Sequence, residues 1–330
     1  MHYKKTLTVI TEGGKELGFG HITRTIAIVS AFKNYNIKFI INGDESVDFV
    51  LNDFNYELFD WLNNKEIISR LKDSDLILLD SILISNKQIK QIEKTNIPII
   101  FIDDEKRRNI LERGYVVDWT VLSETKDYFI PKKPNVKYLL GSIYTPLRDE
   151  FNKISKHIIK EHINSILITF GGSDVRDMTP LVMDVLNKNY SDITKNIVIG
   201  NGFSNIKKIE KLKDNNTNLI YNVDAQRMAT LMSTNDLAIS AGGQTLYELA
   251  LVGIPTIAIL LVENAKDDTF GWEKVGFIEN IGWYDDINIK DNLLSALKQV
   301  EDKNKRVAMQ KSAKIYIQPN GAKRLYNGII

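Results

Sequence analysis

The amino-acid sequence predicts an α/β protein with two doubly wound parallel sheets. Short apolar runs rich in Ile, Leu and Val alternate along the chain with longer helix-like segments. The runs show little polar alternation, which is typical of parallel strands covered by helices on both faces. This strand–helix alternation occurs twice, so each half of the 330-residue chain has the pattern of a separate sheet.

The apolar runs define the predicted strands in chain order. In the first half they are Leu7–Thr11, Ile37–Ile41, Leu76–Asp80, Ile97–Ile102 and Val116–Val121. In the second half they are Ser165–Phe170, Asn196–Ile199, Asn218–Tyr221, Asp236–Ser240 and Ile254–Val262. Helices are predicted at Ile22–Lys33, Asn86–Lys94, Thr179–Asn187, Asp224–Met232 and Gln244–Leu251, with a broken helix over Asn304–Ile330. A linker near Gly141–Pro146 predicts two domains, residues 1–142 and 143–330.

Composition excludes several classes of protein. The 43 basic and 42 acidic side chains give a net charge of +1, which gives no reason to expect nucleic acid as a partner. The absence of cysteine excludes disulfides and thiolate nucleophiles and fits a cytoplasmic location. The longest uncharged apolar stretch, Leu249–Val262, is shorter than the ~20 residues of a membrane span. The short run Leu7–Ile10 does not predict a signal peptide, so we expect no membrane insertion.

A glycine-rich segment from Glu12 to His21 follows the first predicted strand. In open α/β sheets, ligands bind beyond the carboxyl ends of strands, where glycines allow close backbone approach. His21 is predicted in the first turn of the next helix, whose positive end favours the neutral imidazole that a general base requires. We expect a catalytic role for His21, and the alternative is capping or packing. The spacing is not GxGxxG, so no dinucleotide cofactor is predicted.

Two further turns of small residues follow predicted strands in the second half. Phe170-Gly171-Gly172-Ser173-Asp174 offers backbone donors and a hydroxyl to substrate oxygens, and a tight turn capped by Asp174 is equally expected. The segment from Ser240 to Gly243 opens a helix, a position that suits a pyrophosphate. Glu248, one turn into that helix, is suited to accept hydrogen bonds from a ribose diol or to match the helix dipole.

The acidic run Asp103-Asp104-Glu105 does not predict a metal site, because no His or further acid stands at a ligand spacing. A loop that hydrogen-bonds backbone or substrate is expected instead. The following run, Lys106-Arg107-Arg108, is interpreted as solvated or as counterions for Asp103 and Asp104. We expect neither a metal nor a cofactor, and we expect surface positions for His2, His157 and His162.

Together these motifs resemble those of the hydrolases of pseudaminic acid biosynthesis, which act on UDP-2,4-diacetamido-2,4,6-trideoxy-β-L-altropyranose. More distantly, the chain is similar to spore-coat polysaccharide proteins and to the UDP-GlcNAc transferase of lipid II synthesis. The resemblance covers most of the chain. It implies the GT-B architecture, in which two Rossmann-like domains are separated by a cleft.

Individual segments carry the resemblance. Gly18-Phe19-Gly20-His21-Ile22 with Arg24 resembles the family's GxGHxxR segment, whose His is the proposed base. Gly171–Asp174 matches the family's GG(S/T)D turn. Tyr144–Arg148 with Phe151 resembles its link between domains, and Asn320–Ala322 with Arg324 resembles its tail. The resemblance implies UDP binding by Ser240, Ala241, Gly242, Gly243, Thr245 and Glu248. It implies substrate binding by Gly18, Gly20, Arg24, Asp80, Gly171, Gly172, Ser173 and Asn264.

One segment departs from the family pattern. After the strand that ends at Asp80, the hydrolases typically carry His-Tyr-Gly, where this chain has Ser81-Ile82-Leu83. The aromatic hydroxyl that family members place near the sugar is therefore absent at Ile82. The departure leaves the identity of the sugar open.

The expected activity is metal-independent, inverting hydrolysis of a UDP-activated diacetamido-trideoxy sugar for nonulosonic acid biosynthesis. His21 would deprotonate the attacking water, with the sugar on domain 1–142 and UDP on domain 143–330. The main alternative is a glycosyltransferase that uses a UDP-amino sugar donor. The lack of an apolar or basic cluster beyond Lys4-Lys5 in the first domain favours hydrolysis. A non-catalytic UDP-sugar-binding protein, and an epimerase with more acids around the sugar, are further alternatives.

Overall fold

Two parallel β-sheets, one in each half of the chain, organise the fold. The computed structural model describes residues 4–154 and 157–330. The chain divides into two compact units: unit 1 runs to Leu147 and includes Asn320–Ile330, and unit 2 is Arg148–Pro319. The predicted α/β class with two Rossmann-like domains is confirmed.

The strands run in parallel throughout both sheets. Those of unit 1 are β1 (Thr6–Gly13), β2 (Asn36–Gly43), β3 (Asn55–Leu58), β4 (Leu76–Asp80), β5 (Ile99–Ile102), β6 (Gly114–Asp118) and β7 (Val136–Leu140). Those of unit 2 are β8 (Ser165–Thr169), β9 (Thr194–Ile199), β10 (Thr217–Tyr221), β11 (Leu237–Ala241), β12 (Thr256–Leu260) and β13 (Ile278–Trp283). The sheet orders are β3-β2-β1-β4-β5-β6-β7 and β10-β9-β8-β11-β12-β13.

Helices connect most of these strands. They are α1 (Gly20–Val29), α2 (Asp48–Leu51), α3 (Asn86–Glu93), α4 (Asp149–Asn152), α5 (Met178–Asn189), α6 (Ile206–Leu212), α7 (Ala225–Thr234), α8 (Thr245–Val252), α9 (Lys266–Lys274), α10 (Ile289–Val300), α11 (Lys303–Tyr316) and α12 (Gly321–Ile329). Short 3₁₀ helices occupy Glu45–Val47, Lys65–Leu71, Ser123–Thr125, Asp127–Phe129, Ser142–Tyr144 and Glu263–Ala265. Within the described residues, none of the helices is long and apolar enough to cross a membrane.

Local sequence explains several helix boundaries. Ser85 begins α3 with a capping box, in which its side chain accepts from the Gln88 amide and the Gln88 side chain accepts from the Ser85 amide. Asp224 caps α7 through the Arg227 amide. Gly253 ends α8 with a φ of +82°, a conformation that glycine adopts without strain.

Each sheet changes winding direction at one pair of strands. In unit 1 the strand order reverses between β1 and β4, and in unit 2 it reverses between β8 and β11. Ligands of open α/β sheets bind at such switch points, beyond the carboxyl ends of the strands. The glycine-rich segment after β1 and both small-residue turns of unit 2 lie at these two positions.

The last helix returns to unit 1. Arg324 on α12 donates from Nη1 to the Ile143 carbonyl oxygen at 2.7 Å, and Tyr115 donates to the Ile329 carbonyl oxygen at 2.7 Å. The rings of Phe32 and Tyr326 meet edge to face at 5.1 Å. The division into sugar and UDP domains at residues 142 and 143 stays a prediction.

One histidine lies deeper than the sequence predicts. His162 is exposed, as expected, but His157 is 5% exposed and its Nδ1 donates to the Ser233 carbonyl oxygen at 3.1 Å. The surrounding charged residues concealed this packing. Burial lowers the pKa of His157, so the folded chain favours its neutral form. His2 lies outside the described residues.

Candidate active site

His21 lies in the first turn of α1, beyond the carboxyl end of β1. The loop before it is closed by a hydrogen bond from the Gly14 amide to the Gly18 carbonyl oxygen at 3.0 Å. Gly18 has a φ of +76°, in the left-handed region that favours glycine. No atom lies within 4 Å of the position that a Cβ would take at Gly18 or Gly20. Open space therefore faces the first turn of α1.

A buried carboxylate, Asp80, holds the His21 ring. His21 Nδ1 lies 3.0 Å from Asp80 Oδ1, at the carboxyl end of the neighbouring strand β4. Arg24 donates from Nε to Asp80 Oδ2 at 2.7 Å, and from Nη2 to Oδ1. Because the carboxylate accepts, Nδ1 carries the ring hydrogen and Nε2 has the free lone pair. Within the described part of the chain, Nε2 forms no hydrogen bond.

Arg24 is fixed in turn by a second carboxylate and an aromatic ring. Its Nη1 donates to Asp104 Oδ2 at 2.8 Å, and its guanidinium lies 5.2 Å from the centre of the Trp119 ring. Burial lowers the pKa of Arg24, but Asp104 and Asp80 raise it by more. The resemblance implies substrate contacts for Arg24 and Asp80. Here their charged atoms bind protein groups, which indicates that they position the His21 ring.

The charges around His21 control its protonation. Burial lowers the pKa of His21, but the adjacent Asp80 carboxylate raises it by more, so the net shift is upward. Burial raises the pKa of Asp80, but Arg24 and His21 together hold it well below its usual range. The expectation that the helix end keeps His21 neutral is wrong in direction. A carboxylate in hydrogen-bond contact outweighs the partial charge of a helix end.

The acidic run after β5 forms a hydrogen-bonded loop. Asp103 is 3% exposed, and its Oδ2 accepts from the Asn109 amide at 3.2 Å. Burial raises the pKa of Asp103 to about 6, and burial also raises the pKa of Glu105. Among the residues that the structure describes, no group of three or more His, Asp or Glu side chains is arranged to hold a metal ion.

The basic run Lys106-Arg107-Arg108 donates hydrogen bonds to protein groups. Arg107 donates from Nε to Asp118 Oδ2 at 2.9 Å. The charge of Arg108 opposes the rise in the pKa of Asp103, as the counterion interpretation expects. Burial raises the pKa of Asp118 to about 7, although Arg107 opposes that shift. Lys106 and Arg108 both donate to carbonyl oxygens in the segment that follows β4.

That segment, Ser81-Ile82-Leu83, is a tightly bonded turn. The Glu12 side chain is 2% exposed, and its Oε1 accepts from the amides of Ile82 at 2.8 Å and Leu83 at 3.2 Å. Ser81 Oγ accepts from the Ile84 amide at 2.9 Å. The turn that departs from the family pattern therefore has a fixed backbone directly after Asp80.

The Gly-Gly-Ser turn of unit 2 presents its backbone outward. Gly171 has a φ of +71°, and no atom lies within 4 Å of a Cβ position at Gly171 or Gly172. Asp174 caps α5, because its carboxylate accepts from the amides of Met178 at 2.8 Å and Thr179 at 3.0 Å. Ser173, between Gly172 and Asp174, is half-buried. The turn is thus both capped by Asp174 and open at its glycines.

The segment after β11 lies beside this turn, because β8 and β11 are neighbours. Ser240 is 0% exposed and its hydroxyl donates to the Ala241 carbonyl oxygen at 3.0 Å. The amides of Gly243, Gln244 and Thr245 form no hydrogen bond within the described residues. These amides at the start of α8 are suited to an anion. Asn264 is exposed in the 3₁₀ helix after β12, whose Ala265 Cβ lies 3.7 Å from the Cβ position of Gly243.

Glu248 on α8 is held by Arg148. Arg148 donates to Glu248 Oε1 from Nη2 at 2.8 Å and from Nε at 3.1 Å. The Glu248 side chain is 13% exposed, and its Oε2 forms no hydrogen bond within the described residues. Burial raises the pKa of Glu248 despite the opposing charge of Arg148. One carboxylate oxygen is therefore fixed while the other is available.

Gly242, before α8, and Gly20, at the start of α1, differ in the space available for a side chain, and a stability measurement can test this difference. An added Cβ at Gly242 would lie 2.2 Å from Thr269 Oγ1, which is buried and bonded to the Ala265 carbonyl oxygen. We expect Gly242→Ala to lower the free energy of unfolding by about 1–3 kcal/mol. Gly20→Ala should leave stability unchanged or raise it slightly, because the space is open and alanine favours helix. Thermal melts of both variants check this, and an equal loss in both would contradict the assignment.

Three exposed apolar side chains lie in segments that follow strands of the first sheet. Leu17, Phe49 and Leu83 are 48%, 73% and 40% exposed, and they follow the adjacent strands β1, β2 and β4. Phe49 packs edge to face on Phe19 at 6.0 Å. The expectation that the first domain has no apolar or basic cluster beyond Lys4-Lys5 stays a prediction. The three apolar residues are scattered among glycines and polar residues in the sequence, so no apolar run marks them.

Sequence reasoning missed several residues that shape the two sites. Trp119 and Arg148 received no binding or positioning role, and Glu12 received none beyond its place in the glycine-rich segment. The local signal of Trp119 is its position just beyond β6, and that of Arg148 is its position at the domain link. The assignment of the remaining site residues to catalysis, substrate and UDP stays a prediction.

The two Rossmann-like domains define the class of this fold, which is that of GT-B glycosyltransferases. Acinetobacter baumannii MurG has a TM-score of 0.72 to this structure at 12% sequence identity, over 98% of this chain and 99% of that chain. At this identity the similarity establishes the fold alone.

Sequence comparisons identify more specific relatives. Residues 155–317 match the family model described as protein of unknown function (DUF354). An uncharacterized protein of Methanocaldococcus jannaschii is 28% identical over 79% of this chain and 57% of its own length, so this chain spans little more than half of that relative. The UDP-2,4-diacetamido-2,4,6-trideoxy-beta-L-altropyranose hydrolase of Campylobacter jejuni is 23% identical over 81% of this chain and 96% of that protein. The resemblance to the pseudaminic acid hydrolases is confirmed.

Proposed function

We propose that this chain hydrolyses a UDP-activated diacetamido-trideoxy sugar at the anomeric carbon, in the cytoplasm, as a step of nonulosonic acid biosynthesis. The observation that carries the proposal is the contact of His21 Nδ1 with the buried Asp80 carboxylate, which leaves Nε2 available as a base. Similarity to a curated UDP-sugar hydrolase over most of its length supports the choice of substrate.

In the proposed reaction His21 acts as general base. Nε2 takes a proton from water as the water oxygen attacks the anomeric carbon. The bond from that carbon to the phosphate oxygen breaks, and UDP leaves with the electron pair. A single displacement inverts the anomeric configuration. Asp80 keeps the ring oriented and stabilises the imidazolium that forms, while Arg24 keeps Asp80 in place.

UDP is assigned to the carboxyl edge of the second sheet. The unbonded amides at the start of α8 would donate hydrogen bonds to the diphosphate, together with the exposed backbone of Gly171 and Gly172. Asn264 stands at the same edge and is suited to the phosphate or the sugar. The diphosphate is already a good leaving group, so these amide dipoles supply the charge stabilisation that the reaction needs. No cofactor is proposed.

A ribose contact at Glu248 gives a direct test of the nucleotide assignment. We expect UDP to bind about 10–100-fold more tightly than 2′-deoxy-UDP, since a hydrogen bond to a charged group is lost with the hydroxyl. Glu248→Gln should remove most of this preference. Glu210→Gln, an exposed change on α6, is the control. Titration calorimetry measures the affinities of both nucleotides for the wild type and the two variants, and an unchanged preference in Glu248→Gln would rule out the ribose contact.

The activity itself is tested by UDP release from the diacetamido substrate in EDTA, with no acceptor present. The proposal predicts rapid formation of UDP and free sugar, at the same rate with and without the chelator. Loss of activity in EDTA would exclude the metal-independent mechanism. No release despite tight UDP binding would favour the alternative below.

The alternative is a GT-B glycosyltransferase that uses a UDP-amino sugar donor. The exposed Leu17, Phe49 and Leu83 favour it, because exposed apolar residues in the segments after β1, β2 and β4 are suited to contact an acceptor. His21 would then deprotonate an acceptor hydroxyl instead of water. Release of UDP that depends on an added acceptor would distinguish this function from hydrolysis.

A further inference from the structure

Glu12 is a buried acid that the proposed mechanism does not use. It lies near the carboxyl end of β1, in the strand that leads to the His21 loop, and it is 2% exposed. β1 pairs with β4, and Thr11, the residue before Glu12, is in register with Asp80. Glu12 therefore stands beside the end of β4, where the Asp80 carboxylate holds the His21 ring.

One oxygen of Glu12 holds the turn that directly follows Asp80. Glu12 Oε1 accepts from the Ile82 amide at 2.8 Å and from the Leu83 amide at 3.2 Å. The Arg108 guanidinium donates to two carbonyl oxygens of the same segment, at 2.8 and 3.2 Å. An acid on β1 and a basic side chain between β5 and β6 therefore fix the backbone between Asp80 and α3.

The second oxygen of Glu12 has no part in holding the turn. Glu12 Oε2 is buried and has no hydrogen-bond partner within the described residues. A buried carboxylate oxygen without a donor costs free energy. A glutamine at this position would offer the two amides the same acceptor without a charge. The turn alone therefore does not account for a carboxylate at residue 12.

The charge of Glu12 acts on His21. In the described part of the chain, the charged groups that act on the His21 ring are Asp80 on β4, Arg24 on α1, Glu12 on β1 and Glu105 after β5. Burial lowers the pKa of His21, the contact with Asp80 raises it by more, Arg24 lowers it and Glu12 raises it. Asp80 bonds the ring, whereas Glu12 acts on it through space. A negative charge there favours the imidazolium over the neutral ring.

We propose that Glu12 is a positioning residue for His21. Its first oxygen fixes the turn behind Asp80, and its second oxygen leaves a negative charge near the imidazolium that forms when His21 takes the proton. Burial keeps water from screening this charge, so it stabilises the positive charge that develops during the reaction. The inference rests on the proposed function, because it assumes that His21 is the base.

Two variants separate the two contributions of Glu12. Glu12→Gln keeps an acceptor for both amides of the turn and removes the charge, so we expect it to fold. Glu12→Asp keeps the charge on a side chain that is one methylene shorter, which loosens the turn. Glu66→Gln, an exposed change in the same unit, is the control.

Two measurements are made on each protein. NMR titration of the imidazole resonances follows His21 without any substrate, and the spectrum of His21→Ala assigns its signal. Steady-state kinetics of UDP release give the pH profile of kcat/KM. The titration does not depend on the activity, so it tests the coupling of Glu12 to His21 separately from the proposed function.

In Glu12→Gln, His21 should titrate at lower pH than in the wild type and in Glu66→Gln, because a charge that favours the imidazolium is gone. On the alkaline plateau kcat/KM of this variant should fall about 3–30-fold, and the acid limb should move with the titration. In Glu12→Asp the titration should stay near that of the wild type, while kcat/KM falls about tenfold because the ring is less well placed.

An unchanged His21 titration in folded Glu12→Gln would overturn the role of the charge and with it the proposal. Wild-type kcat/KM in Glu12→Asp would overturn the role of the turn, and this arm decides the proposal if Glu12→Gln does not fold. A wild type that releases no UDP, with the titration still changed in Glu12→Gln, would refute the proposed function and leave the coupling between Glu12 and His21 in place.

Discussion

Replacing His21 with alanine is expected to lower kcat/KM for UDP release by about 10²–10⁴-fold, or about 3–5 kcal/mol of barrier. The variant loses the only group in the proposed mechanism that takes the proton from water. Its ring is 15% exposed and, among the described residues, bonds only to Asp80, so the fold should survive the change. UDP affinity should be unchanged, because the nucleotide is assigned to unit 2.

His162→Ala is the matched control, since His162 is exposed in unit 2. Steady-state kinetics and a circular dichroism spectrum of each variant complete the experiment. A loss smaller than tenfold in a folded His21→Ala protein would remove His21 from the role of base.

Asp80→Asn is expected to affect both stability and the pH profile. Asp80 is 0% exposed and accepts from Arg24 and His21, so removing its charge takes from the buried Arg24 one of the two carboxylates that bond it. Breaking a buried ion pair from one side typically costs about 3–5 kcal/mol of folding free energy. Urea unfolding at pH 7 measures this loss, with Asp53→Asn as the exposed control. A loss below about 1 kcal/mol would contradict the role given to this pair.

The pH dependence follows from the same contacts. A base acts when unprotonated, so wild-type kcat/KM should fall as pH drops below the raised pKa of His21. Without the Asp80 carboxylate the pKa of His21 falls, and the acid limb of the Asp80→Asn profile should move to lower pH. An acid limb at the same pH in both proteins would show that another group controls it.

The free energy of unfolding should depend on pH through Asp80 and His21, whose pKa shifts act in opposite directions. The lowered pKa of Asp80 contributes stability above the usual carboxyl range, and this is lost as pH falls towards the lowered value. The raised pKa of His21 contributes stability below its usual value of 6.5, and this is lost as pH rises through the raised value.

The sequence predicted the central strands well and the sheet edges poorly. Strands such as β4 and β5 are buried along their whole length, so hydrophobic runs reveal them. The strands β3, β7 and β13 were missed, and each is an edge strand of its sheet. An edge strand pairs with a neighbour on one side only, so water reaches its outer edge and polar residues interrupt its apolar pattern, as in β3 and β13.

The site was predictable where a motif is local and unpredictable where a contact is distant. The glycine-rich segment and His21 are adjacent in sequence, and their position beyond β1 follows from the alternation of strands and helices. In the network that holds His21, Arg24 bonds Asp80, which lies 56 positions further along the chain, and Asp104, which lies 80 positions further. No spacing rule connects such residues, because the parallel sheet brings its strand ends together only after folding. The direction of the His21 pKa shift could not be inferred without the Asp80 contact.

The most direct test of the central claim follows the oxygen of the attacking water. The diacetamido substrate is incubated with the enzyme in water labelled with oxygen-18, in EDTA and without an acceptor. Mass spectrometry at short reaction times then measures how much label each product contains. The proposed mechanism predicts the label in the free sugar and none in UDP, with this product lost in His21→Ala. Label in the phosphate of UDP, or no UDP release until an acceptor is added, would contradict hydrolysis at the anomeric carbon.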